Sequence, residues 1–443
     1  MHNNIAIIGA GIAGCELALT LAKFDHKITI FEQKPLFFSQ AHTSTLLSEL
    51  VCSNSLRNND TLSGIGLLKD ELRKLNSFFI KSADLNSIPA GKALAVDRNN
   101  FSEYITNQII RNPNIKLINK RIDSLNDSIL LNFDTICLTT GPLTSDSLIN
   151  DLKNIIGLNH CYFYDAIAPI VWDNSLNMDI IFRASRYGEI GSGDYLNCPM
   201  DKKEYENFYN ALINGNVIKS HEFEKEKHFE GCMPIEALAS RGIKTLTFGP
   251  FKPVGLIDPK TNKRPWAVLQ LRAEDKNSTC YNLVGCQTKL IQSEQLRIFR
   301  LIPGLENAEF ARFGSMHRNT YVNSPNVLNS DFSLINNPNI FLAGQITGVE
   351  GYVESAASGL YLALLLHARH LNLDIKTPPN TTAIGALINH TQTKCKNFQP
   401  SNAHFGLMPE PNEFIKKKDR KAFYEMRAKT SFDHWLECLK KVI

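Results

Sequence analysis

At 443 residues, 43% hydrophobic and 21% charged, the chain is too long for one ordinary compact domain and fits two or three. Its 48 Lys and Arg against 44 Asp and Glu give a formal +4, too slight to mark a nucleic-acid binder, and 25 Gly and 19 Pro carry no sign of disorder. No apolar run approaches the ~20 residues that span a bilayer, and Met1–Asn4 lead straight into a strand-like run, so a soluble cytoplasmic chain without membrane contact is expected.

The first element is the most legible. Ile5–Ile8 reads as a short buried strand, Gly9-Ala10-Gly11-Ile12-Ala13-Gly14 as a turn, Cys15–Lys23 as a helix, and Lys27–Glu32 as a second strand. This is β-turn-α-β with G-x-G-x-x-G in the turn and an acid closing the second strand, the pattern of a dinucleotide site. Gly9 allows the tight turn, Gly11 lets backbone approach a pyrophosphate, and Gly14 lets helix pack on strand. The helix N-terminus offers N–H groups and partial positive charge to phosphates. Glu32 is placed to accept from ribose hydroxyls. A bare glycine-rich turn with no ligand is the alternative.

Further along, Phe133–Pro142 reads as a strand ending in Thr-Gly. Residues 161–320 change character, with a charged stretch at Lys202–Lys227 and a strand-like run at Pro265–Leu271. Asn339–Gly348 reads as a late strand ending in glycine, followed through Glu350-Gly351-Tyr352 by a long helix of small and apolar residues. This strand–Gly–helix element, with Gly344 and Gly348, resembles the second flavin-contacting segment of the glutathione-reductase-like FAD fold. The expected class is therefore α/β, a Rossmann-type FAD-binding domain in two parts (1–160 and 321–443) with an inserted α+β domain at 161–320. Residues 416–443 carry nine Lys or Arg against four acids, a pattern that is usually a solvated helix face and is also compatible with RNA phosphates.

Ten cysteines show no C-x-x-C spacing, so neither a metal site nor a redox pair is expected. Several blocks nevertheless stand out: Glu49–Arg57 around Cys52, Ile88–Arg98, Phe229–Glu236 around Cys232, Phe248–Pro259, Phe299–Asn307, Met316–Thr320 and Gly344–Gly359. In this order, nearly end to end, they resemble the bacterial folate- and FAD-dependent tRNA (uracil-5-)-methyltransferases, the TrmFO family. The match weakens between about 100 and 225 and after 410.

The resemblance implies methylation of uracil C5 in RNA, with 5,10-methylenetetrahydrofolate as carbon source, FAD as cofactor and NADH or NADPH as reductant. tRNA is the expected partner. A uridine of 23S ribosomal RNA is the alternative target, and an FAD oxidoreductase without RNA is the alternative of another class. Uracil C5 becomes nucleophilic only after a thiolate adds to C6, and its proton must later leave, so a nucleophile and an acid/base partner are needed. By residue type alone Cys52 and Cys232 are more readily inert buried thiols than catalytic ones. The family motifs around them make Cys232 the expected nucleophile and Cys52 its proton partner. Gly9, Ala10, Gly11, Ile12, Ala13, Gly14, Glu32, Gly344 and Gly348 are expected at the cofactor. His317, Arg318 and Asn319 are weaker candidates for folate or uracil, and Glu350, Tyr352 and Glu354 for the flavin edge. Lys252, Arg264, Arg272 and Arg297 are candidates for phosphates, against the commoner role of facing water.

Overall fold

The computed structural model describes residues 4–157, 161–187, 193–218, 233–396 and 398–440, without the side chains of 161–166, 317 and 318. A six-stranded sheet runs in the order Ser333–Leu334, Asn337–Leu342, Thr135–Leu138, Ile5–Ile8, Ile28–Glu32, Ile115–Asn119. All its pairings are parallel except the first. Parallel strands are covered on both faces, which is why Ile5–Ile8 is an unbroken apolar run and entirely buried.

The helix Ile12–Ala22 is buried along all 11 residues. It packs against the 19-residue helix Tyr352–His370, where small residues permit close approach: a Cβ on Gly359 would lie 2.3 Å from the Ala13 carbonyl oxygen. That contact brings the two distant glycine segments to one end of the sheet. Glu16, on the same buried helix, accepts the N–H groups of Phe78 and Phe79 at 3.1 and 2.7 Å and so caps the helix Phe78–Leu85.

Between these halves lies a second six-stranded sheet, antiparallel, in the order Phe182–Arg183, Tyr195–Met200, Ala267–Ala273, Cys280–Leu283, Ile170–Trp172, Phe310–Arg312. It has its own core, with Phe208, Phe251, Phe299 and Tyr205 beneath the helices Lys202–Ile213 and Gln292–Phe299. The antiparallel pair Cys161–Ile167 and Ser315–Tyr321 links it to the parallel sheet. The basic C-terminal helix, Arg420–Leu439, is not simply a solvated rod. Ala428, Phe432, Trp435 and Leu439 are buried against the first core, and Trp435 Nε1 donates to the Lys376 carbonyl at 2.7 Å. Among the described residues no helix is long and apolar enough to cross a membrane.

Candidate functional site

The three glycines of the N-terminal turn do three different things. Gly9 has φ +101°, and a Cβ there would sit 2.9 Å from the Thr139 carbonyl oxygen. A Cβ on Gly14 would sit 2.0 Å from the Gly9 oxygen, so helix and turn touch there. A Cβ on Gly11 would meet nothing within 4 Å. Gly11 is thus required by no protein neighbour; the space it leaves opens at the start of Ile12–Ala22, where no side chain caps the helix. A phosphate-bearing ligand fits such a place.

Around it runs a cleft enclosing about 1080 Å³, solvent at its mouth included, lined by Gly9–Ala13, Glu32, Lys34, Thr139–Gly141, Gly344 and Tyr352 among others. Glu32 is buried, and its two carboxylate oxygens accept from the Ala10 and Lys34 N–H groups at 2.7 and 3.0 Å. The Lys34 ammonium in turn donates to the Ser44 and Leu46 carbonyls at 3.1 and 2.5 Å and faces Glu49 at 3.4 Å. Both members of that pair are buried, and Glu49 also accepts from the Thr43 and Ser44 N–H groups. The loop that walls the cleft is therefore held by one ion pair saturated with backbone bonds, the condition under which a buried pair is tolerated.

Cys52 lies just beyond this wall, half-buried, next to Val51 of the cleft lining. Its N–H donates to the Tyr352 hydroxyl at 2.7 Å, and the Ser53 N–H reaches the same oxygen at 3.4 Å. Burial, and then the charge of Cys52, push the Tyr352 hydroxyl well above the ordinary tyrosine range, so it stays protonated. Three guanidiniums hold the same loop. Arg98 donates to the Leu50 carbonyl and forks onto Glu274 at 2.6 and 2.9 Å. Arg312 donates to the carbonyls of Val51 and Ala41 at 2.9 and 3.0 Å. Arg272 donates to Ser53 Oγ and Asn54 Oδ1, both at 2.8 Å. A loop of five residues is thus fixed from four remote places in the chain, with three cations around one thiol and the carboxylates of Glu274 and Glu49 to offset them. Such a site favours negative charge on a ligand beside it.

Comparison with known proteins bears on what this geometry is for. Residues 4–374 match the model of the family described as Glucose inhibited division protein A. A protein of Lawsonia intracellularis named methylenetetrahydrofolate--tRNA-(uracil-5-)-methyltransferase TrmFO is 58% identical over 434 residues, 98% of each chain. The chain belongs to the TrmFO family. Relatives of the same name from Nitratidesulfovibrio vulgaris strain Hildenborough and Geobacter sulfurreducens are 56% and 50% identical, covering 97% and 98% of this chain and 91% and 99% of theirs. Two crystal forms of Aquifex aeolicus GidA share its fold at 16% identity, with TM-scores of 0.66 and 0.68, over 99% and 100% of this chain and 76% and 78% of that one. The fold is the Rossmann-type FAD-binding α/β class with an inserted domain.

Within this TrmFO-family fold, Gly9 through Ala13, Glu32 and Gly344 gather on the cleft, and Gly14 supports it from behind. Gly348 stands apart: it turns at φ +83° and packs on the Phe398 ring, outside the lining. Cys232 lies outside the described residues. The chain leading from it is well anchored, since Glu236 on the short helix Ile235–Ala239 is buried and accepts from Thr288 Oγ1 and the Lys289 N–H at 3.0 and 2.7 Å. His317, Arg318 and Asn319 lie on the strand Ser315–Tyr321, where Asn319 is buried and the other two side chains are outside the description.

Of the three residues expected at the flavin edge, only Tyr352 lines the cleft; Glu354 pairs with Arg57, and Glu350 accepts from Gln345 Nε2 at 2.8 Å. Arg272, a candidate for phosphate contact against the commoner role of facing water, is buried against the Cys52 loop, and Arg297 is paired with Glu294 at 2.5 Å. Sequence reasoning missed Lys34, Glu49, Arg98, Arg312 and Glu274 as site residues. Arg98 closes the block Ile88–Arg98, and Glu49 opens the block around Cys52; the others carry no local signal.

Proposed function

We propose that this protein forms 5-methyluridine in tRNA, in the cytoplasm, with 5,10-methylenetetrahydrofolate as carbon donor, FAD bound in the cleft, and NADH or NADPH as reductant. The observation that carries the reading is the cage around Cys52 at the edge of a cleft whose Gly11 leaves room for a pyrophosphate. Gly9–Ala13 and the helix N-terminus would hold the pyrophosphate, and Glu32 a ribose. FAD, when bound, supplies the electron pair that turns a methylene into a methyl.

The chain's own residues do the rest. The thiolate of Cys232 adds to uracil C6, forming a carbon–sulfur bond and placing an electron pair at C5, which attacks the one-carbon unit. Cys52 takes the C5 proton as the bond from the one-carbon unit to the folate nitrogen breaks and tetrahydrofolate leaves with that electron pair; once the exocyclic methylene has been reduced to methyl, re-formation of the C5–C6 double bond expels Cys232. Tyr352 and the three guanidiniums hold the Cys52 loop in register with the cleft, so that a single geometry serves the proton transfer.

The test is to incubate purified protein with unmodified tRNA, methylenetetrahydrofolate and NAD(P)H and to measure 5-methyluridine by mass spectrometry. Product should form without S-adenosylmethionine. RNA containing 5-fluorouracil should give a covalent adduct that Cys232→Ala abolishes. Methylation of a 23S ribosomal RNA fragment with tRNA left untouched would overturn the choice of substrate.

A further inference from the structure

We infer that the RNA docks on one face of the inserted domain, built by residues 241–266 together with Tyr187 and Lys202, through phosphates on its cations and unstacked bases on its exposed rings. The inference rests on the proposed activity and adds to it the surface that reads the RNA.

Residues 241–266 contain six Lys or Arg (241, 244, 252, 260, 263 and 264) and one acid, Asp258. That acid is buried and spent within its own turn, accepting the Lys260 N–H at 2.9 Å and the Thr261 hydroxyl at 3.0 Å. All six cations are exposed, and among the described residues Lys244, Lys252, Lys260, Lys263 and Arg264 have no ion-pair partner. Phe248 and Tyr187, at 80% and 77% exposure, stand among them with Trp266 and Ile243, both at 42%. Rings as exposed as those of Phe248 and Tyr187 contribute little to a core.

The segments that carry these groups are tied to their neighbours. The Arg186 guanidinium donates to the carbonyls of Lys252 and Val254 at 2.5 and 2.9 Å, and the neighbouring Tyr187 N–H donates to Gly255 at 2.9 Å. The Tyr205 hydroxyl donates to the Ile243 carbonyl at 2.5 Å, from the helix that also carries Lys202, whose ammonium lies 3.7 Å from Glu206 and 5.7 Å from the Trp266 ring. At its border Arg241 reaches Met233 Sδ at 3.2 Å, so the face adjoins the chain that leads out of Cys232.

Cations interleaved with exposed rings fit looped or single-stranded RNA, in which bases are free to stack while the backbone is neutralised. The basic C-terminal segment fits less well. Its helix cations Lys429 and Lys440 are paired with Glu425 and Glu437, and Glu410, Glu413 and Asp419 are exposed alongside.

The experiment uses the full FAD-loaded chain and a T-arm hairpin, with binding followed by anisotropy across salt concentrations. The triple variant Lys244→Glu, Lys263→Glu, Arg264→Glu should bind at least tenfold more weakly at 0.1 M salt. Its log–log salt slope should be shallower by about 2, since each phosphate contact contributes roughly 0.7–0.9. Phe248→Ala should weaken binding about 5- to 20-fold with the slope unchanged, as loss of one stacked base requires. Flavin content and kcat at saturating RNA should match the unaltered protein in both, and the milder Lys→Gln, Arg→Gln triple should show part of the same slope change. Unchanged affinity in these variants, or a loss that follows Lys416→Glu, Lys417→Glu, Lys418→Glu instead, would overturn the assignment of this face while leaving the activity standing. Absence of RNA binding by the unaltered protein would take down both.

Discussion

The turn Gly9–Gly14 and the loop Leu50–Asn54 border the same cleft, yet they are built in opposite ways. The turn is a main-chain device: what matters at Gly9, Gly11 and Gly14 is the atoms that are missing, and all its parts lie within one β-α-β unit. The loop is a side-chain device, clamped by Arg98, Arg272, Arg312 and Tyr352 from four distant segments. The first should therefore fail when atoms are added and be indifferent to charge at its glycines. The second should tolerate some change in volume and fail when charge is removed.

The largest effect expected is on the first region. Gly14→Val places a Cβ 2.0 Å from the Gly9 oxygen, and backbone on both sides cannot yield, so a loss of more than ~4 kcal/mol and little folded protein are expected. Thermal unfolding checks this; a melting temperature within a few degrees of the parent would break the idea of a turn closed by contact.

Next comes the clamp. Arg98→Met removes the partner of buried Glu274 and a donor to the Leu50 carbonyl, at a cost of about 3–5 kcal/mol and with a fall in turnover. Adding Glu274→Met should recover much of the stability, because the stranded carboxylate is gone, but not the turnover. Recovery of both would mean that charge at the loop is irrelevant.

Glu16 sharpens the contrast from within the first region, where a charge is buried for architecture alone. Burial pushes its carboxyl up to about 7 from an ordinary 4.5, against the opposing pull of the Phe79 N–H. Because the folded value lies above the unfolded one, folding takes up a proton. The stabilisation is full below about 4.5 and is lost as pH rises through about 7, by roughly 2–3 kcal/mol. Chemical denaturation from pH 5 to 8 should show this decline, and Glu16→Gln should reduce it, leaving the part owed to Glu71, whose buried carboxyl is pushed up to about 8 in the same way. A parent whose stability rises over that window would contradict the assignment.

The smallest effect on the fold is at Gly11. Gly11→Val adds atoms where no protein atom lies within 4 Å, so apoprotein stability should change by less than about 0.5 kcal/mol. The flavin absorbance of the purified protein should nevertheless disappear. If Gly11→Val protein is yellow at full occupancy, the open space belongs to something else.

The sequence alone determined the dinucleotide unit, because strand, turn and helix are neighbours along the chain, and the φ of +101° at Gly9 and the contact of Gly14 with the Gly9 oxygen arise within it. It also marked the late strand and the Gly344 turn, whose φ of +82° and close approach to Ala13 require glycine. Only the tertiary structure decided the rest. Nothing in spacing distinguishes Arg272, buried against Asn54, from Arg264, exposed on the inserted domain, eight residues earlier in the same chain. Nor does it separate Gly344, which faces the cleft, from Gly348, which packs on Phe398. Periodicity reports which face of one element is apolar, whereas an ion pair or a clamp depends on which elements meet. The Cys52 cage exists only because the inserted sheet brings Arg272, Glu274 and Arg312 onto the loop from one side while the helix beginning at Tyr352 meets it from another.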